Sequence, residues 1–416
     1  MTVNKATLAD SGCTTHSLLA RLCATLTFIL LVGACLVEPK EDARILVDND
    51  LELLAGRIDY TNEVIEIDTG GIPSTSLLRT SADSRTLTLV AEVTPPNHNQ
   101  QVLQATDVMI SGSKAYVSYN TRGEVFLGGV DVFDIADISS PQLISSAILT
   151  DADVNGLAVL GNTLYIASAT ENPSFDSPAV LEVIALSGGR LTDESTVIDL
   201  PSYAATDVDA AGSYVYVTSG AAGGYVTVLN ANTLQEVYAL PVEDARGVSS
   251  DNTDVGVVAG TPARLLTFDR DSGTLISDYT LEGATIPFSK STIEINRSKA
   301  ILGIGDGGTQ IVCLATGDTI VTVPPPIVEG LDADVTVTNA ATTDKATLFM
   351  ANGEAGIYVA VAETRFDSKD CSVDNLQLLG KFRFDDFQSV NHVAYRSGVL
   401  FIAGGLGGLK ILTVSE

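Results

Sequence analysis

From residue 107 onward the chain repeats itself, and that periodicity constrains the fold more than any other feature. A short apolar run opening on a polar residue or glycine recurs seven times. The copies are Asp107-Val108-Met109-Ile110, Gly156-Leu157-Ala158-Val159, Asp207-Val208-Asp209-Ala210, Gly247-Val248-Ser249, Thr292-Ile293-Glu294-Ile295, Asp334-Val335-Thr336-Val337 and His392-Val393-Ala394-Tyr395. Their first apolar residues stand at 108, 157, 208, 248, 293, 335 and 393, so the period is 40 to 58 residues. Repeats of this length are single supersecondary units that bury their faces only by stacking on neighbours. Each copy continues into a β-branched and aromatic second strand, such as Ala115-Tyr116-Val117 or Leu400-Phe401-Ile402, and a third that usually follows glycine, such as Gly129-Val130-Asp131-Val132-Phe133.

A fourth strand completes most copies, for example Thr196-Val197-Ile198-Asp199-Leu200, but the seventh copy runs out at Glu416. An unassigned strand, Thr86 to Val93 (Thr-Leu-Thr-Leu-Val-Ala-Glu-Val), stands ahead of copy one. Pairing the two ends completes one sheet and removes an open edge. The sequence therefore predicts an all-β, seven-bladed β-propeller over residues 86–416, closed by an N-terminal strand that completes the last blade. A long β-solenoid is the alternative, but its repeats are shorter and its ends are capped rather than exchanged.

The repeats resemble two known kinds. Ala105-Thr106-Asp107-Val108 with Ser111-Gly112-Ser113-Lys114-Ala115-Tyr116-Val117 and Val130-Asp131-Val132-Phe133-Asp134-Ile135 is similar to the LVIVP repeat. Tyr214-Val215-Tyr216-Val217-Thr218-Ser219 with Val226-Thr227-Val228-Leu229-Asn230 is similar to the YVTN repeat. The resemblance implies a propeller scaffold of secreted and surface bacterial proteins and transfers no catalytic residues.

Ahead of the repeats, Lys5 and Arg21 precede an apolar run from Leu22 to Val32, and Gly33-Ala34-Cys35 follows. The run is shorter than the ~20 residues a membrane span needs, which makes residues 1–34 a secretion signal rather than a retained helix. Val32-Gly33-Ala34-Cys35 resembles the lipobox of bacterial lipoproteins, which implies lipidation (palmitate among the acyl chains) at Cys35. Leu36 in place of an aspartate implies the outer membrane, facing either the periplasm or the surface. Residues 35–85 read as a lipidated tether with a short strand docked on the ring.

With 23 Lys and Arg against 52 Asp and Glu the formal net charge is -29, which repels phosphate backbones and excludes nucleic-acid binding. Cys13 and Cys23 leave with the signal, and the last two of the five cysteines, Cys313 and Cys371, are either a disulfide or two separate thiols.

The entry ends of the first strands line the mouth of a propeller's channel. By register they place Asp107, Asn155, Asp207, Arg246, Asp334, Asn391 and His392 there as a ligand-binding set. Asp107, Asp207 and Asp334 form an acidic ring suited to calcium, against the simpler role of capping each blade's own backbone. His392 beside Arg246 offers an acid or base, although no Gly-x-Ser-x-Gly elbow accompanies it. Phe126 and Phe175, on two long entry-face loops, are candidate anchors for a partner. The sequence thus points to a membrane-anchored binding or scaffolding module with an envelope or extracellular protein or glycan partner. A hydrolase or lyase at the mouth and a calcium-dependent adhesin are the alternatives, and no catalytic residue or other cofactor is assigned.

Overall fold

The computed structural model describes residues 44–70 and 85–415, apart from 124, 221, 222, 252, 288 and 385–387. The signal segment 1–34 and Cys35 lie outside the described residues. Seven antiparallel blades follow in chain order, and each begins with an inner strand: Gln104–Ser111, Ala152–Leu160, Ala204–Ala211, Ala245–Ser250, Ser291–Asn296, Ala340–Asp344 and His392–Arg396. Among the described residues no helix is long and apolar enough to cross a membrane.

Blade six corrects the sequence reading. Its inner strand is Ala340–Asp344, not Asp334 to Val337, which lie in a turn region. Hairpin length is the reason. In blades one, two, three, five and seven two residues separate the inner strand from the second, as between Ser111 and Lys114 or Asn296 and Lys299. The second strand of blade six is Thr347–Ala351, so the same two-residue turn puts the inner strand's end at Asp344. Alternation in Asp-Val-Thr-Val mimics a strand but would leave a nine-residue hairpin loop.

Closure occurs as expected. Thr86–Val93 pairs antiparallel with Leu409–Ser415, from Thr86 opposite Ser415 to Val93 opposite Leu409. A bulge between Leu89 and Ala91 reverses which side of the strand faces which neighbour. Leu87 and Leu89 therefore pack with Phe349 and Leu379 of blade six, whereas Ala91 and Val93 pack with Val108 and Val117 of blade one. One strand thus binds both neighbouring blades. Gly408 allows it: its φ is +68°, and a Cβ there would stand 1.9 Å from the Val93 carbonyl oxygen.

Residues 44–70, part of the stretch expected to be a tether, form a strap on the ring's rim. Ile45–Asp48 adds a fifth strand to blade one, a short helix Leu51–Ala55 follows, and Ile58–Ile65 adds a fifth strand outside Thr86–Val93 on blade seven. Asp68 then pairs with Lys381 of blade six. Outer strands with apolar alternate residues accept added strands, and two buried carboxylates fix the strap where it lies. Arg57 holds Asp131 of blade one through two hydrogen bonds of 3.0 and 2.5 Å, and Arg44 holds Glu182 of blade two at 2.8 and 2.7 Å. Both carboxylate side chains are fully buried.

On the opposite face a disulfide joins Cys313 at the end of blade five's third strand to Cys371 in a blade-six loop. Beside it the buried Lys299 ammonium donates to the carbonyls of Phe366 and Ser368. Blades five and six are thereby clamped together.

Removing Arg57 leaves Asp131 as an uncompensated buried charge. Arg57→Ala is expected to cost about 3–5 kcal/mol of unfolding free energy in denaturant titration, and the paired change Arg57→Met with Asp131→Leu to recover most of that loss.

Candidate functional site at the channel mouth

Each inner strand of blades one to four carries a β-bulge at its entry end, at Thr106, Asn155, Thr206 and Arg246. The bulge turns that side chain sideways, toward the next blade. Thr106 donates to the Val154 carbonyl at 3.2 Å, Asn155 to Ala205 at 2.8 Å, Thr206 to Ala245 at 2.9 Å and Arg246 to Ser289 at 3.1 Å. The circuit continues through Thr292 to Asn339 at 3.1 Å, Asn339 to Val390 at 2.9 Å and Asn391 to Ala105 at 2.8 Å. Seven side chains thus link all seven blades, each donating to a backbone carbonyl of its neighbour. Asn155 and Asn391, expected to be ligand groups, belong to this ring of hydrogen bonds.

Arg246 is also structural in its contacts. It makes two hydrogen bonds to Asp244 at 3.2 and 2.8 Å, and further ones to Ser289 and Ser291. Its guanidinium fills the space where a Cβ on Gly260 would come within 2.2 Å. Buried and fully engaged, it is not paired with His392 as the sequence suggested.

Asp334 is exposed in the loop before blade six and does not line the mouth cavity that Asp107 and Asp207 share. The expected three-aspartate ring is therefore reduced to Asp107 and Asp207. Among the described residues no three His, Cys, Asp or Glu side chains come together as metal ligands. Phe126 is half-buried. Phe175, also half-buried, lies beneath the Arg44 guanidinium, 5.8 Å from its ring centre.

What remains at the mouth is a compact polar cluster above a cavity of about 290 Å3 lined by Asp107, Asp207, Asp209, Lys290, Ser250 and His392 among others. His392 Nδ1 lies 3.0 Å from Asp107 Oδ1, which orients the imidazole. Lys290 enters from blade five, crosses the mouth, and donates to the Thr106 carbonyl of blade one at 2.8 Å, with Asp107 Oδ1 3.7 Å away. Burial disfavours the charged form of Asp107, but His392 and Lys290 outweigh it and hold the carboxyl below the ordinary range.

Asp207 takes the opposite shift. Burial first, and the Asp107 charge second, push it up to about 7. Its two oxygens accept from the backbone N–H groups of Val208 and Val248, tying blade three to blade four. Asp209 repeats the pattern one step deeper, accepting from Ala210 N and from Ser250 N and Oγ. Burial also raises Glu294 to about 7, where its one side-chain hydrogen bond among the described residues comes from the Thr342 hydroxyl at 2.8 Å.

Sequence reasoning missed Lys290 and Asn339. Lys290 is signalled by being the lysine next to an entry position, in Ser289-Lys290-Ser291. Asn339 was hidden by the blade-six register.

No family model matches the sequence, and no curated protein matches it. Solved structures do. The chain is similar to the structure of U3-55K, with a TM-score of 0.57 and 11% identity, covering 77% of this chain and 97% of that one. It is also similar to the WD40 β-propeller domain of Doa1, with a TM-score of 0.51 and 14% identity, covering 77% and 95%. At these identities the likeness establishes the propeller fold alone.

Carboxyls whose folded pKa is raised stabilise the fold fully below their unfolded values and lose that contribution as pH rises through the folded ones. Glu294 and Asp207, at about 7, and Asp153, raised by burial to about 6, set this window, while Asp107 acts only in strong acid. Calorimetry should therefore give a higher Tm at pH 5 than at pH 7.5. Glu294→Gln, which keeps an acceptor for Thr342, is expected to flatten that slope and raise Tm at pH 7.5 by about 2 °C.

Proposed function

We propose that the protein is a lipid-anchored binding or scaffolding module of the bacterial cell envelope that engages its partner at the channel mouth. The anchor reading is supported by the signal segment and the lipobox-like Val32-Gly33-Ala34-Cys35. The Cys313–Cys371 disulfide fits an oxidising compartment, as the periplasm and cell surface are.

The observation that carries the binding reading is the Lys290, Asp107, His392 and Asp207 cluster over the cavity. The ring hydrogen bonds occupy the other entry-position donors. Here, by contrast, His392 Nε2 makes no hydrogen bond among the described residues, and Lys290 holds two acceptors with three N–H groups. Donors and acceptors side by side in about 290 Å3 suit a neutral polar group, such as a sugar ring or a polar side chain of a protein partner. A net charge of -29 disfavours polyanions.

A hydrolase or lyase is the second reading, favoured by one observation, the Asp107–His392 contact of 3.0 Å that fixes an imidazole as acid or base. Against it, Arg246 is occupied elsewhere, and no hydroxyl is hydrogen-bonded to His392 among the described residues.

Cys35→Ala is expected to abolish incorporation of a palmitate analogue and move the protein to the soluble fraction; membrane retention of that variant overturns the anchor. Lys290→Met with His392→Gln and Asp107→Asn, which removes the buried carboxylate along with its counter-charges, is expected to lower capture of envelope glycans or proteins at least tenfold in protein that still unfolds cooperatively. Undiminished capture overturns the mouth as the site, and turnover lost on His392→Ala in a screen of glycan and ester substrates favours the enzyme reading.

A further inference from the structure

We propose that the entry-face edge formed by blades seven, one, two and three is a membrane-contact surface, which turns the channel mouth toward a zwitterionic lipid layer. The inference rests on the lipid-anchor reading above and adds an orientation to it.

Strand direction sorts the loops of a propeller. Loops joining second to third strands, and loops joining one blade's outer strand to the next blade's inner strand, all emerge on the entry face. Five large apolar side chains stand exposed in loops of that kind: Leu406 on blade seven, Val102 between blades seven and one, Val125 on blade one, Tyr203 between blades two and three, and Ile327 between blades five and six. They are 51, 43, 52, 58 and 101% exposed. None belongs to the mouth cluster or the core. Four of the five lie on the arc from blade seven to blade three, and exposed apolar side chains gathered along one edge of an acidic ring mark a contact surface.

The strap fixes where the chain arrives. Arg44 is held at the same face, between blades one and two, near the middle of this arc: its carbonyl accepts from Thr150 N and its side chain pairs with Asp151, both in the turn that joins those blades. Eight residues separate Cys35 from Arg44, so nine Cα-to-Cα steps span at most about 32 Å of fully extended chain. An inner strand of eight residues, such as Gln104–Ser111, is itself about 26 Å long. A leash rooted on the entry face would be used up in crossing to the far face, so the arc around Arg44 is the part of the ring that reaches lipid. The net charge of -29 repels anionic headgroups, which selects a zwitterionic surface and leaves the apolar side chains to make the contact.

The test uses the full lipidated protein on vesicles of phosphatidylcholine and phosphatidylethanolamine containing a headgroup-nitroxide lipid. A single thiol is introduced and labelled with a fluorophore, either on the arc (Val125→Cys or Tyr203→Cys) or in exposed turns of the far face (Ser113→Cys or Ser213→Cys). Arc labels are expected to be quenched at least threefold more than far-face labels in protein that floats with the vesicles. Equal or reversed quenching in floating protein overturns the orientation while leaving the anchor intact. Protein that carries no lipid on Cys35 by mass and does not float overturns the anchor and the orientation with it.

Discussion

The structure depends on closing a ring whose last blade holds only three strands from its own repeat. A propeller left open at that point would expose an unpaired strand edge and the apolar faces of two blades. Thr86–Val93 resolves both at once, because the bulge near Val90 lets its two halves face different neighbours. The Lys410 ammonium, 2.6 Å from Glu92, adds an ion pair across the seam. The strap then covers the seam from outside, with strands added to blades one and seven and two arginines neutralising carboxylates that the ring alone would leave buried without a counter-charge.

The same economy of position governs the channel. A propeller packs its inner strands side by side, and the entry bulges place one donor per blade against the neighbour's carbonyl. Because threonine, asparagine and arginine all serve, the requirement is for a donor of suitable reach rather than for one residue type. Groups left over from that circuit define the mouth. Asp107 and Asp207 share one repeat register yet shift in opposite directions, since His392 pairs with Asp107 alone, while at Asp207 burial and the Asp107 charge outweigh the attraction of Lys290. Repeat symmetry is broken at this point, and function is most economically placed where a repeated scaffold departs from its repeat.

Blade number, closure and six of seven inner strands were legible from periodicity, because stacking blades demand the same apolar pattern each time. Blade six was misread because Asp334-Val335-Thr336-Val337 alternates like a strand, while the small residues Ala340-Ala341-Thr342 carry little hydrophobic signal. The two-residue hairpin length, visible in the sequence, was the better guide. The strap was only partly legible: Ile58 to Ile65 reads as a strand, but nothing local announces that Arg44 and Arg57 meet Glu182 and Asp131, 138 and 74 residues away. At the candidate site, register brought Asp107, Asp207 and His392 to one cavity. It said nothing of which entry side chains are consumed by inter-blade hydrogen bonds, because a bulge is a backbone feature. Lys290 escaped notice because its contact with blade one spans 184 residues.

Hydrogen exchange followed by mass spectrometry at increasing denaturant tests circular closure most directly. The amides of Thr86–Val93 and Leu409–Ser415 are expected to exchange only through the same global opening as Lys114–Asn120 of blade one, their isotherms merging at one free energy. Exchange of Thr86–Val93 tens of times faster than that of Lys114–Asn120, through a local opening that leaves blade one protected, would contradict a ring held shut by its amino-terminal strand.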